Sequence, residues 1–160
     1  MSKNINIING DLLNQDVDVI INPWNRNLIP WWLLIPQGVS GAIKKNAGIA
    51  PFIELSQYGL IQLGDAVTTS SGKLNYKSII HVAGIDMFWR ASDYSISRSI
   101  ISAMKIINDK QYSSVAFPLI GSGSGGVSEK IVTEIITNTL YKIDFDSIIT
   151  IVKYTKFSLK

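Results

Sequence analysis

The run from Val17 to Ile21 constrains this chain most. It is opened by Asp16 and Asp18 and closed by Asn22-Pro23. It is short, β-branched and apolar on both faces, which predicts a strand buried inside a sheet. Such a strand needs cover on both sides, and the sequence supplies helices for it. Ser40 to Asn46 has helical spacing, with Gly48 as its stop. Pro51 opens a second helix that runs through Tyr58 to Gly59. Asp93 is expected to cap a long third helix, with Ile96, Ile100, Ile101, Met104 and Ile107 facing inward. Ser128, Glu129 and Lys130 begin a fourth, with Ile131, Ile135, Ile136 and Leu140 as its inner face. Further strands are expected at Ile5 to Ile8, Asp65 to Thr69, Ser78 to Val82, Ser114 to Phe117 and Ser147 to Tyr154. Strands alternating with helices predict an α/β fold, a three-layer α/β/α arrangement with a central mixed β-sheet. The 160 residues fit one domain, residues 1–160. Ligands of such sheets collect in the crevice at the carboxyl ends of the strands.

Composition removes several chemistries. With no cysteine, disulfides, thiolate catalysis and cysteine zinc sites are excluded, and a cytoplasmic location is the expectation. The single histidine, His81, makes a histidine-built metal site improbable, and no metal or cofactor is expected. His81 lies in the apolar run Ile79-Ile80-His81-Val82 and reads as a packed core residue. The longest apolar run, Leu28 to Pro36, is far short of the roughly 20 residues that span a membrane, so no membrane partner is expected. A net charge of +3 does not announce a nucleic-acid binder, yet it does not repel an anion.

Four loops follow strands. Asp11, in Gly10-Asp11-Leu12, offers a carboxylate to an exocyclic amine, or else satisfies nearby backbone donors in a turn. Asn22 and Asn25 offer amide donors and acceptors, and Gly38-Val39-Ser40-Gly41 can aim backbone N–H groups at a phosphate. The plain alternative is a helix cap with Ser40 as the cap residue. Gly121-Ser122-Gly123-Ser124-Gly125-Gly126 joins a strand to a helix and lets backbone approach a ligand closely, so a diphosphate cradle is the favoured reading over a flexible loop. It is not a dinucleotide fingerprint, because it comes late and no acidic residue ends the next strand. Tyr154, at the end of the last strand, can stack on a base or simply sit at the rim. Asp86, Trp89 and Arg90 lie in a loop that can reach the crevice, but nothing in the sequence requires it.

These pieces, in this order, resemble the macrodomains, a family of ADP-ribose-binding modules of which some hydrolyse ADP-ribose from modified targets. Gly10-Asp11-Leu12-Leu13 resembles the family's G-D-I-T. Val19 to Asn25 resembles its N-A-A-N segment, and Gly38 to Ile43 its G-V-x-G-A-I loop. Ile120 to Gly126 resembles its S-T-G-x-aromatic-G loop. The resemblance covers nearly the whole chain. It implies that Asp11 binds the adenine amine with Leu12 as a wall, and that Tyr154 flanks the adenine. It also implies that Val39, Ser40 and Gly41 hold one side of the diphosphate, with Gly38 among the ligand-binding candidates, and Ser122, Gly123, Ser124, Gly125 and Gly126 the other. Asn25 would face the distal ribose as the catalytic candidate, with Asn22 bracing the loops.

The departures are equally specific. Ser40 stands where many hydrolytic members carry an acid, and a hydroxyl is a poor base for activating water. Leu34-Ile35-Pro36-Gln37-Gly38 replaces a glycine run, with Gln37 adding an amide. The aromatic of the second loop aligns with Gly125, and the segment Arg26 to Pro36 is longer than usual. Trp24, Trp31 or Trp32 is therefore a candidate lid over the distal ribose; the alternative is a hydrophobic segment that merely packs on the domain. The implied function is ADP-ribose binding with hydrolysis of ADP-ribose from a modified target. The alternatives are a non-catalytic reader and a binder of another nucleotide or a nucleic-acid end. The implied partners are ADP-ribose or an ADP-ribosylated macromolecule, with a functional link to an ADP-ribosyltransferase, and the chain is expected to act as a monomer.

Overall fold

The computed structural model describes residues 2–33, 38–123 and 125–155. Strands β1 (Ile5–Gly10), β2 (Val19–Trp24), β3 (Ala66–Thr69), β4 (Ser78–Ala83), β5 (Ser114–Pro118) and β6 (Ile148–Tyr154) form one sheet in the order β1-β6-β5-β2-β4-β3. β3 runs antiparallel to β4 and the other pairings are parallel, so the sheet is mixed. Helices α1 (Gly38–Ala47) and α2 (Ala50–Gln57) share a core with Ile20, Ile79 and Ala116. Helices α3 (Asp93–Asp109) and α4 (Glu129–Tyr141) pack with Val19, Ile21, Ile80 and Val82. Successive residues of β2 thus bury themselves in opposite layers, as the period of a strand requires. The three-layer α/β/α architecture expected from the sequence is the one observed.

Three local expectations are corrected. The second strand begins two residues later than Val17 and continues through Pro23 to Trp24. Proline is tolerated because β2 pairs with β5 only at Val19 and Ile20, and beyond that it keeps β4 alone as partner. The cap of α3 is Ser92, not Asp93. The Ser92 hydroxyl accepts from Ser95 N at 3.1 Å, and Ser95 Oγ accepts from Ser92 N at 2.9 Å. This reciprocal box is expected to make Ser92→Ala cost about 1 kcal/mol in denaturant unfolding; an unchanged midpoint would contradict it. The helix faces are also rotated. Ile101 and Ile131 are exposed and Ile135 is half-buried, whereas Val132 and Thr139 take buried places on α4.

The parting of β2 and β5 positions the crevice. Past Ile20 the two neighbours diverge, and the chain leaving β2 enters α1 in one layer while that leaving β5 enters α4 in the other. This is the switch point of an open α/β sheet, where loops of opposite direction leave a gap.

Candidate functional site

A crevice of about 960 Å³ occupies this gap. That volume is of the size that takes a drug- or cofactor-sized ligand. Its β1 end holds Asp11, Leu12 and Tyr154. Tyr154 is paired in register with Gly10 and is exposed, so its ring stands beside the Asp11 turn. Asp11 Oδ1 accepts from Leu13 N at 2.9 Å and caps a short 3-10 turn, Leu12–Asn14. The turn reading of Asp11 is therefore realised, and its second carboxylate oxygen carries none of these bonds.

The middle of the crevice lies between two turns. On one side Gly38, Val39 and Ser40 form the first turn of α1. The leading N–H groups of a helix have no partner inside it and carry the positive end of its dipole, which favours an anion here. Gly38 has φ +58°, a left-handed conformation that suits glycine at the entry. On the other side lie Gly121, Ser122, Gly123 and Gly125. Part of that loop is committed to its own shape. Ser122 N donates to Leu119 O, Gly126 N to Gly123 O, and Ser122 Oγ to Leu119 O. Gly41 and Gly126 are not among the lining residues. Gln37 and Ser124 lie outside the described residues.

At the far end, after β2 and β4, stand Asn25, Ile85 and Trp89. Asn25 Oδ1 accepts from Asn27 N at 2.7 Å, holding Asn27 at φ 60°. The Asn25 carbonyl thus accepts one bond, and its Nδ2 makes no hydrogen bond among the described residues.

A macro-domain family model matches residues 21–136, well over half of the chain. The chain belongs to the macrodomain family. A macro domain-containing protein of Listeria monocytogenes is 32% identical over 146 residues, covering 86% of this chain and 79% of its own. A protein of Citrobacter koseri named O-acetyl-ADP-ribose deacetylase is 32% identical over 149 residues, covering 88% of this chain and 80% of its own. In fold, the Trypanosoma brucei macrodomain in complex with ADP-ribose superposes with a TM-score of 0.80 at 18% identity. That match covers 96% of this chain and 64% of the other.

Beneath the crevice this macrodomain carries a buried polar chain that the sequence reading did not connect. Ser40 Oγ donates to Asn22 Oδ1 at 2.7 Å and lies 2.9 Å from Pro23 O. Asn22 Nδ2 lies 2.9 Å from His81 Nδ1, and His81 Nε2 lies 2.8 Å from Thr69 Oγ1. An amide nitrogen can only donate, so Nδ1 accepts and the ring proton sits on Nε2. Asn22 and His81 are fully buried and face each other across β2 and β4. Burial pushes the His81 pKa down to about 3 and keeps the ring neutral. Two expectations are corrected by this chain. Asn22 has no exposed surface and does not contact the crevice as a ligand-binding residue, although its bond from Ser40 ties α1 to β2 as a brace would. Ser40 is not the helix cap, because it lies inside α1 with its hydroxyl tied to β2.

The tryptophan expectation divides. Trp24 lines the crevice from the core, with its ring tilted against Phe52 at 5.4 Å. Trp31 packs on the α1/α2 layer under Lys44, whose Nζ lies 5.2 Å from its ring centre. Trp32 is 68% exposed, and neither it nor Trp31 lines the crevice. Trp89 does. The signal for it in the sequence was its place in the loop after β4.

Proposed function

We propose that this macrodomain binds ADP-ribose along the crevice and hydrolyses ADP-ribose conjugates. The observation that carries the reading is the pair of turns facing each other across the switch point, the first turn of α1 and the glycine loop after β5. An amine-accepting carboxylate lies at one end and an amide at the other. That order suits adenine, diphosphate and distal ribose in sequence. The likeness to proteins named O-acetyl-ADP-ribose deacetylase supports the hydrolytic part.

The chemistry assigns modest roles to side chains. Asn25 Nδ2 donates to the attacking water or to a distal ribose hydroxyl and fixes its position. The water oxygen forms a bond to the reacting carbon as the bond to the departing group breaks; a phosphate oxygen of the substrate takes the water's proton, and the departing group leaves with the bonding pair and takes a proton from solvent. The two turns stabilise the charge that gathers on the diphosphate. The conjugates would be products of an ADP-ribosyltransferase, or esters such as O-acetyl-ADP-ribose.

A second reading is a reader that binds without turnover. It is favoured by the commitment of both the Ser40 hydroxyl and the Asn25 carbonyl to the protein's own hydrogen bonds. Incubation with O-acetyl-ADP-ribose, ADP-ribosylated protein and ADP-ribosylated DNA separates the two. The enzyme reading expects ADP-ribose release from at least one, reduced on the order of a hundredfold in Asn25→Ala. Binding without release would establish the reader instead.

A further inference from the structure

The connection from β4 to α3 carries an aromatic side chain on a strained backbone. Trp89 sits at φ 60°, a left-handed conformation that is an outlier for a bulky residue. The turn is held by four hydrogen bonds that enclose it. Asp86 Oδ1 accepts from Phe88 N at 2.8 Å and from Arg90 N at 3.0 Å. Asp86 N donates to Arg90 O at 2.9 Å, and Trp89 N donates to Asp86 O at 3.1 Å. Strain of this kind persists only where the surroundings over-determine it, and it gathers at ligand clamps.

The turn is also docked on the glycine loop. Ala91 N donates to Gly125 O at 3.2 Å. A Cβ added at Gly125 would lie 2.7 Å from Ala91 Cβ and 2.6 Å from Gly121 O. No side chain fits at Gly125, so the glycine loop brings no cover of its own at that point. Trp89 lines the crevice and is still 45% exposed. The loop that carries Trp89 leaves β4, which lies four strand places from β1. At about 4.8 Å per place, the end of β4 is about 19 Å along the sheet from that of β1.

We infer that Trp89 is a specificity-determining residue, the aromatic cover for the sugar farthest from the adenine and for the group joined to it. The inference rests on the ADP-ribose reading above. An indole face packs against the C–H face of a ribose, and the exposed part of the residue is free to meet whatever the ribose is attached to. The test uses the full chain, with Trp89→Ala and Trp89→Phe titrated against ADP-ribose and against ADP, which lacks the distal ribose. Trp89→Ala is expected to weaken ADP-ribose binding about tenfold and ADP binding by less than about twofold, with Trp89→Phe restoring most of the loss. Equal losses for both nucleotides, or an unchanged affinity for ADP-ribose, overturn the inference. A wild-type protein that binds ADP but shows no preference for ADP-ribose also overturns it. A wild-type protein that binds neither removes the ADP-ribose reading itself, and this inference with it.

Discussion

Gly125→Val is expected to reduce ADP-ribose affinity on the order of a hundredfold while lowering the melting temperature by only a few degrees. The atoms nearest an added Cβ are Gly121 O at 2.6 Å, and Gly121 Cα and Ala91 Cβ at 2.7 Å. None of these is the far end of a flexible side chain, so the loop and the Trp89 turn must move apart. Both line the crevice, and a displacement of about an ångström is enough to misplace backbone donors. The buried sheet residues lie elsewhere, which is why stability should fall little. Calorimetric titration beside a melting curve checks both halves. Wild-type affinity in Gly125→Val would mean that the glycine loop takes no part in the site.

Stability should fall as pH drops below about 6.5, and it should do so through one group. The folded protein holds His81 neutral down to about 3, whereas the unfolded chain takes up a proton near the ordinary value of 6.5. Between those values the unfolded state binds more protons. The stabilisation is therefore complete above 6.5 and lost progressively as pH falls toward 3, at up to about 1.4 kcal/mol per pH unit. His81 is the only histidine, and unperturbed carboxylates titrate near 4, so the window from 6.5 to about 4.5 isolates it. His81→Leu should flatten that window. It should also cost about 1–3 kcal/mol at neutral pH, because Asn22 Nδ2 loses its acceptor in the core. Urea unfolding across pH measures both effects. A slope that survives in His81→Leu would place the acid sensitivity elsewhere.

The His81 chain marks where sequence reading stopped. Short β-branched runs and helical spacing were enough to place six strands and four helices, because burial on two faces leaves few other patterns. The loops that carry the crevice were legible for the same reason: each follows a strand and is built of residues a buried connection would not need. The pairing of Asn22 with His81 was not legible. It joins residues 59 apart through the adjacency of β2 and β4, which no local pattern encodes. The choice between Ile131 and Val132 on α4 failed differently. Both are apolar, and only packing against α3 and the sheet decides which faces in. The aromatic stretch misled by number. Trp24 lines the crevice only from the core, whereas Trp89, the single tryptophan of its loop, lines it while still 45% exposed. Residues 34–37, expected from the resemblance to replace a glycine run, lie outside the described residues.

The crevice at the β2/β5 switch point is expected to take ADP-ribose. Titration of the wild-type chain with ADP-ribose, AMP and free ribose 5-phosphate, followed by calorimetry at low salt, tests it most directly. One site per chain with micromolar affinity for ADP-ribose is expected, with weaker binding of AMP and no heat from ribose 5-phosphate. Absence of binding to ADP-ribose at millimolar concentration, in a protein that melts cooperatively, would contradict it.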